Sequence, residues 1–221
     1  MRAQSLDLFP VRVSIFDFED APRLNRALLD AARSDPELRS SITGKSIFAR
    51  EDTQENAHEN WWVAELRQRY DAALSAYLAG VYPERKEPFD LEAYGFFNYN
   101  EGAAFTPVHD HLIEADLVAI YYAHAPQQEE RHASSYYAMH NDGVLVLHDP
   151  RPDARIDRRG LSTRDHYRIY PRTNRLVIHP AYLRHSVAPS DFERLAVTCT
   201  VTIDRKDLFD GYVRYQLGAQ R

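Results

Sequence analysis

Residues 175–204 read RLVIHPAYLRHSVAPSDFERLAVTCTVTID, and this stretch decides the class of fold. Both of its ends are runs rich in Leu, Val, Ile and Thr, side chains that are common in β-strands. The segment between the two runs contains Pro, Ser and Asp, which favour turns. The stretch therefore predicts two strands joined by a loop.

The second run, residues 194–201, separates a polar from an apolar face, because successive side chains of a strand point to opposite sides. The apolar face suits packing against helices and consists of Leu195, Val197, Cys199 and Val201. The opposite face is polar enough to line a pocket and consists of Arg194, Ala196, Thr198 and Thr200. Cys199 is therefore predicted to be an inert thiol of the core.

Short runs of the same composition precede this stretch from residue 91 onwards, namely EAYGFFNYN, DLVAIYYAH, GVLVLHD and HYRIY. No long helical pattern interrupts them, so the sheet should be largely antiparallel. Two helical patterns lie upstream, within residues 20–35 and 60–80. We therefore expect a mainly β fold with flanking α, in which the helices pack on one face of a double-sheet barrel or jelly roll.

The length of 221 residues suits a single domain, residues 1–221. Within it, residues 1–90 hold an N-terminal strand and the helices, and residues 91–205 hold the β-rich core. Residues 206–221 form a C-terminal tail, which we expect to be a short helix or a frayed end.

Charge and composition exclude several classes of partner. A net charge of −6 and a pI near 5.9 argue against nucleic acid, whose binders usually carry a dominant basic face. No apolar run is long enough to cross a bilayer or resembles a signal peptide, so no membrane partner is expected. The single cysteine excludes an intramolecular disulfide and fits a reducing, cytoplasmic compartment.

The stretch TPVHDHLIEAD, residues 106–116, places two histidines one residue apart. On a strand, His109 and His111 would share one face, and Asp110 would point to the other. His185 follows a strand end and is a candidate third ligand, since imidazoles suit iron, zinc, copper or nickel. The alternative is that this pair arose by chance in a chain with ten histidines.

The residues that follow carry a resemblance to a known superfamily. Residues 175–204 resemble the end of the double-stranded β-helix of Fe(II)/2-oxoglutarate-dependent oxygenases, in which a strand ends before Pro and is followed by a metal-binding His and then an Arg. The matching positions are His179, Pro180, His185 and Arg194. The order of motifs along nearly the whole chain is similar to a poorly characterised "putative 2OG-Fe(II) oxygenase" family with an H-x-H…H…R pattern.

This resemblance implies a single oxygenase domain with a double-stranded β-helix (a cupin-like jelly roll) and N-terminal helices on its major sheet. It implies that His109, His111 and His185 bind Fe(II) as the catalytic centre and that Arg194 holds the far carboxylate of 2-oxoglutarate. The implied reaction uses O2 to oxidise an unactivated C–H bond of a small-molecule substrate and decarboxylates 2-oxoglutarate to succinate.

The chain departs from the superfamily pattern at two positions. His111 stands where a carboxylate ligand is usual, so either the metal has three neutral ligands, or Asp110, Glu114 or Asp116 supplies the carboxylate, or the metal is lost. Ala196 stands where many relatives carry a hydroxyl that assists the arginine. We expect Tyr121 or Tyr122 to make that hydrogen bond instead.

Other candidate residues are less strongly indicated. Asn98 and Arg151 are expected on the substrate side, with a turn-capping role as the alternative for Arg151. His148 and His179 are expected to be packing or hydrogen-bonded histidines, with a ligand role as the alternative. The Trp61–Trp62 pair and open strand edges allow a homodimer.

Two rival functions remain open from the sequence alone. One is a cupin-like three-histidine dioxygenase or isomerase that does not use 2-oxoglutarate. The other is a non-catalytic jelly-roll binding module. The primary substrate, and the choice between hydroxylation and desaturation, cyclisation or cleavage, cannot be read from the sequence.

Overall fold

The computed structural model describes residues 11–39, 46–50, 61–102, 104–125, 143–150, 166–205 and 212–217. Two β-sheets and two α-helices make up most of these residues. In chain order they are β1 (Ser14–Asp17), α1 (Pro22–Ser34), α2 (Trp61–Val81), β2 (Phe89–Asn100), β3 (Thr106–His109), β4 (Leu117–His124), β5 (Leu145–His148), β6 (His166–Ile169), β7 (Arg175–Pro180), β8 (His185–Val187), β9 (Arg194–Ile203) and β10 (Val213–Leu217).

The order of strands within the sheets shows how the chain is wound. The larger sheet has the order β1-β7-β4-β9-β2-β10, and the smaller has the order β3-β8-β5-β6. From β2 to β9 the chain crosses repeatedly between the two sheets, and the strand pairs of the described residues are antiparallel. This winding confirms the predicted jelly roll, and all six strand runs read from the sequence are strands.

Both helices pack on the outer face of the larger sheet, as expected. The buried stripe of α2 consists of Leu66, Tyr70, Ala73, Leu74, Tyr77 and Leu78, which recur at helical spacing. The Tyr70 hydroxyl donates a 2.6 Å hydrogen bond to the carbonyl oxygen of Val197 on β9. Leu195, Val197, Cys199 and Val201 belong to the same buried cluster, so the predicted apolar face of β9 is confirmed.

The inner faces of the two sheets enclose a second buried cluster, which includes Val118 and Tyr122 of β4, Leu147 of β5, Val177 of β7 and Ala196 of β9. Because the register sets Tyr122 opposite Ala196, these side chains point between the sheets. The space between the sheets is therefore partly filled, and the remaining part forms the cavity described below.

The prediction for the C-terminal tail is wrong. Residues 213–217 form β10, an edge strand that pairs with β2 instead of a helix or a frayed end. Its alternating pattern directs Leu217 into the core, and Arg214 reaches the buried carboxylate of Glu92 on β2. A short alternating strand is easily missed because its pattern is only five residues long.

The tryptophan pair considered as a dimer contact packs within the chain. Trp62 is buried in the outer cluster, and the Arg23 guanidinium lies 4.1 Å from the Trp61 ring. Among the described residues, no helix is long and apolar enough to cross a membrane.

Candidate active site

A cavity of about 440 Å³ opens between the two sheets, a size typical of small-molecule sites. Residues from both sheets contribute to its wall. Those considered below include Asn98, His109, His111, Tyr122, His185 and Arg194.

Three histidines meet at one side of this cavity. His109 is the last residue of β3, and His185 is the first residue of β8 and its partner in the register. His111 follows β3 after one intervening residue. One ring nitrogen of each lies within 4.8 Å of the others, which is close enough for one metal ion to bind all three.

The second nitrogen of each ring is already occupied. The Nδ1 atoms of His109 and His185 lie 2.8 Å and 3.1 Å from the carbonyl oxygens of Pro107 and Leu183. Because a carbonyl oxygen only accepts hydrogen bonds, each Nδ1 carries the proton and leaves the Nε2 lone pair for a metal. The Nδ1 of His111 lies 3.4 Å from a carboxylate oxygen of Glu114, which favours the same tautomer.

Burial keeps these imidazoles in the form that binds metals. It lowers the pKa of His185 to about 2, with a further decrease from the neighbouring His179 and His109. Burial is also the main cause of the lowered pKa of His111. Since metals bind the unprotonated imidazole, these two side chains are ready to bind one at neutral pH.

Contrary to the prediction from the sequence, His109 and His111 do not come together by strand alternation. The two residues do not share one continuous strand, because β3 ends at His109. The backbone N–H of His111 donates a 2.9 Å hydrogen bond to the carbonyl oxygen of Ala181, and a turn follows in which Glu114 and Ala115 donate to the His111 carbonyl. The turn, rather than strand alternation, directs His111 to the metal site.

The nearby carboxylates are engaged elsewhere. Asp110 accepts from the Leu112 N–H at 3.3 Å, and Asp116 accepts from the Ile203 N–H and from Arg205, each at 2.8 Å. Glu114 contacts the outer nitrogen of His111 and lies outside the ligand group. In the part of the chain that the structure describes, the potential metal ligands that converge here are all imidazoles.

Arg194 lies in the same cavity as a buried cation without an anion. It is 2% exposed, and its Nη1 donates a 2.8 Å hydrogen bond to the carbonyl oxygen of Gly143. Its buried Nε has no hydrogen-bond partner, and no carboxylate of the described residues pairs with it. Gly143 has a positive φ of 63°, and a Cβ there would lie 3.3 Å from Nη1, so glycine suits this position.

The two tyrosines proposed to assist Arg194 lie on opposite faces of β4. Tyr122 lines the cavity and lies directly opposite Ala196 in the register. Burial raises the pKa of its hydroxyl, and the positive charge of Arg194 partly offsets this increase. Tyr121 faces the helices, where its hydroxyl lies 2.9 Å from the side-chain oxygen of Asn25. Strand alternation therefore brings Tyr122 to the site and leaves Tyr121 outside it.

The remaining predicted residues divide between the cavity and the core. Asn98 lines the cavity, whereas Arg151 lies outside the described residues. His148 is not among the cavity-lining residues, and its Nε2 lies 3.2 Å from the Ser186 hydroxyl. His179 is fully buried, and its ring centroid lies 4.8 Å from that of His185. It therefore packs directly against one of the three clustered histidines.

Two residues of the site were not recognised from the sequence. Arg39, in a 3₁₀ turn over Pro36–Arg39, lines the cavity. Tyr212, just before β10, donates a 3.2 Å hydrogen bond to the carbonyl oxygen of Glu114, in the turn that carries His111. Neither residue lies in a recognisable sequence motif. The fold brings both of them close to residues that are far away in the sequence, and the sequence alone does not show such contacts.

Comparison with known proteins agrees with this fold. No family model and no curated protein matches the chain. A prolyl hydroxylase from Trichoplax adhaerens, solved with a hypoxia inducible factor peptide fragment, matches with a TM-score of 0.55 and 11% identity, over 86% of this chain and 83% of that one. This likeness confirms the predicted double-stranded β-helix with helices on its major sheet.

Two further solved structures have lower TM-scores. A Pseudomonas putida prolyl-4-hydroxylase matches with a TM-score of 0.49 and 17% identity, over 89% of this chain and 88% of that one. HygX from Streptomyces hygroscopicus, solved with nickel and 2-oxoglutarate bound, matches with a TM-score of 0.48 and 12% identity, over 86% of this chain and 81% of that one.

Proposed function

We propose that this chain is an Fe(II)/2-oxoglutarate-dependent oxygenase that oxidises an unactivated C–H bond of a small molecule. One observation carries the proposal. A single cavity combines three converging imidazoles with a buried arginine that has no carboxylate partner in the described residues. Three converging imidazoles suit a cofactor metal, and a buried arginine suits an anionic co-substrate.

The residues present fit an iron site. The Nε2 atoms of His109, His111 and His185 would hold the metal, and three protein ligands leave coordination positions for other molecules. When bound, the iron with 2-oxoglutarate and O2 supplies the oxidising chemistry, and 2-oxoglutarate is converted to succinate and carbon dioxide. Because all three protein ligands are neutral, the site keeps the full charge of the metal and favours anionic ligands.

Arg194 suits the far carboxylate of 2-oxoglutarate. Its Nη1 is held by Gly143, and its Nε, the polar atom left without a partner, belongs to the edge that can bind a carboxylate in a bidentate manner. Tyr122 replaces the hydroxyl that Ala196 lacks, since the two residues are opposite in the register. Burial raises the pKa of Tyr122, so its hydroxyl is protonated and able to donate at neutral pH.

The decisive experiment is an anaerobic titration of the purified chain with Fe(II) and then with 2-oxoglutarate, followed by visible absorbance. We expect stoichiometric iron and a metal-to-ligand charge-transfer band. His111→Ala should weaken iron binding, and Arg194→Gln should weaken the band at a given 2-oxoglutarate concentration. His124→Ala and Arg26→Gln are matched controls, because the partly exposed His124 and the exposed Arg26 both lie outside the cavity.

The same titration separates the rival functions. Stoichiometric iron without a band would favour a cupin-like three-histidine enzyme that does not use 2-oxoglutarate. Absence of bound iron in the folded wild type would favour a non-catalytic binding module. The neutral imidazole set alone suits either metalloenzyme, whereas the buried Arg194 favours the one that binds a dicarboxylate.

A further inference from the structure

The cavity wall contains a second arginine, which the proposed metal and co-substrate do not use. Arg39 ends the 3₁₀ turn that follows α1 and reaches the cavity beside Asn98 and Tyr99 of β2. It is partly exposed, so it can meet a ligand that enters from solvent.

The Arg39 guanidinium is held rigidly by the fold. Its Nε and Nη2 donate hydrogen bonds of 2.6 Å and 3.0 Å to the carbonyl oxygens of Ala32 and Arg33 at the end of α1. One face of the guanidinium lies 4.6 Å from the centroid of the Tyr99 ring. Tyr99 is itself fixed, because its hydroxyl donates a 2.6 Å hydrogen bond to Glu193. Within the described residues, these contacts engage Nε and Nη2 and leave the two N–H groups of Nη1 available to donate.

No carboxylate of the described residues pairs with Arg39. Glu193 accepts a hydrogen bond from Tyr99, the residue on which Arg39 stacks, but it is paired with Arg33, which donates two hydrogen bonds of 2.8 Å and 2.6 Å to it. At the metal side of the cavity, Asp110 lies 4.0 Å from Arg184, and Glu114 contacts His111. The positive charge of Arg39 is therefore not neutralised within the described part of the chain.

We propose that the primary substrate is an anion, and that Arg39 binds its carboxylate, phosphate or sulfate group. The inference rests on the proposed function, in which the charges of Fe(II) and 2-oxoglutarate cancel. The charged side chains left in the cavity wall are then the cations Arg194 and Arg39 and the anions Glu114 and Asp110. The charge of Asp110 is balanced by Arg184, which lies 4.0 Å away. Because Arg194 is deeply buried and Arg39 is partly exposed, the second cation is the one available to a substrate.

The test uses trifluoroacetate as the anionic probe and trifluoroethanol as its neutral counterpart. The chain is loaded anaerobically with Co(II) and 2-oxoglutarate, and ¹⁹F relaxation of each probe is measured, since the paramagnetic metal broadens the signal of a molecule bound nearby. We expect the wild type to broaden trifluoroacetate and not trifluoroethanol. Arg39→Gln should reduce the broadening at least five-fold, and Arg39→Lys should retain part of it.

Arg26→Gln is the matched control, because it removes the same charge from the exposed face of α1 and should behave as the wild type. Equal broadening of the two probes, or unchanged broadening in Arg39→Gln, would overturn the inference. The same probes are also measured on the chain loaded with Co(II) alone. Arg39-dependent broadening that appears in that sample and is absent once 2-oxoglutarate is bound would also overturn the inference, by assigning Arg39 to the co-substrate.

Failure of the proposed function is a separate result. It would appear as a lack of Co(II) or 2-oxoglutarate binding before either probe is added.

Discussion

At the scale of single residues, the site contains buried polar atoms that have no hydrogen-bond partner within the described part of the chain. The buried Nε of Arg194 and Nε2 of His179 have no hydrogen-bond partner, and one ring nitrogen of each of the three clustered histidines lies within 4.8 Å of the others. A buried polar group without a partner costs about 1–3 kcal/mol. Such a cost is accepted at binding sites, where a ligand supplies the missing interaction.

The two adjacent tyrosines of β4 provide a matched pair of variants. Tyr122→Phe removes a hydroxyl from the cavity, so we expect the Kd for 2-oxoglutarate to rise about five- to ten-fold, which corresponds to about 1 kcal/mol. Tyr121→Phe should leave that Kd unchanged and instead lower the free energy of unfolding by about 1 kcal/mol, because its hydroxyl contacts Asn25. Anaerobic titration and denaturant unfolding measure the two effects, and a reversed pattern would contradict the assignment.

Arg194→Lys tests whether the shape of the cation matters as well as its charge. A lysine cannot form the two parallel hydrogen bonds of a guanidinium, so we expect the Kd for 2-oxoglutarate to rise at least ten-fold, which is about 1.4 kcal/mol. The affinity for Fe(II) should stay within about two-fold of the wild type, since Arg194 is not among the metal ligands. An equal loss of both affinities would mean that Arg194 maintains the fold of the cavity instead.

At the scale of secondary-structure elements, the turn after β3 determines where His111 lies. Three elements hold this turn. The carbonyl of Ala181 after β7 accepts from His111, the N–H of Ile203 in β9 donates to Asp116, and the Tyr212 hydroxyl before β10 donates to Glu114. The C-terminal strand therefore contributes to the metal site through its neighbour Tyr212.

Tyr212→Phe should loosen the turn without unfolding the chain. The ring, whose centroid lies 5.5 Å from that of Tyr94, remains in place, but the hydroxyl's hydrogen bonds with the Glu114 carbonyl and, at 2.9 Å, with the Thr200 hydroxyl are lost. We expect the Kd for Co(II) to rise about five-fold, or about 1 kcal/mol, together with a shift of the visible Co(II) bands. Tyr82→Phe, on an exposed tyrosine, is the control, and unchanged bands in Tyr212→Phe would rule out the positioning role.

The elements also show what could be predicted from the sequence. Local periodicity was enough to identify the two faces of β9, which follow strand alternation, and the helix α2, whose buried stripe follows helical spacing. It did not predict the turn at His111 or the arrival of Arg39 and Tyr212, which depend on contacts between distant segments. For Tyr121 and Tyr122, alternation implied opposite faces, but only the sheet order shows which face is inner.

At the scale of the whole molecule, the residues proposed to bind the metal and 2-oxoglutarate come from both sheets, so the bound groups would connect the two sheets. His109 and His185 belong to the smaller sheet, whereas Arg194 belongs to the larger one. The hydrogen bond from Arg194 to Gly143, just before β5, already joins the sheets at one point. A dicarboxylate bound at one end to the metal and at the other to Arg194 would add a second connection across the cavity.

This arrangement predicts stepwise stabilisation of the whole fold. Co(II) at about 100 times its Kd should stabilise the wild type by about 2.7 kcal/mol, and saturating 2-oxoglutarate should add a further increment only when the metal is present. For a chain of this size, the first step corresponds to a Tm increase of about 5–10 °C. Arg194→Gln should retain the metal step and lose the 2-oxoglutarate step, whereas His111→Ala should lose both. Anaerobic thermal unfolding with a chelator-treated sample as reference measures each step. A 2-oxoglutarate step of full size without metal would show that the dicarboxylate binds independently of the histidines and does not connect the two sheets through the metal.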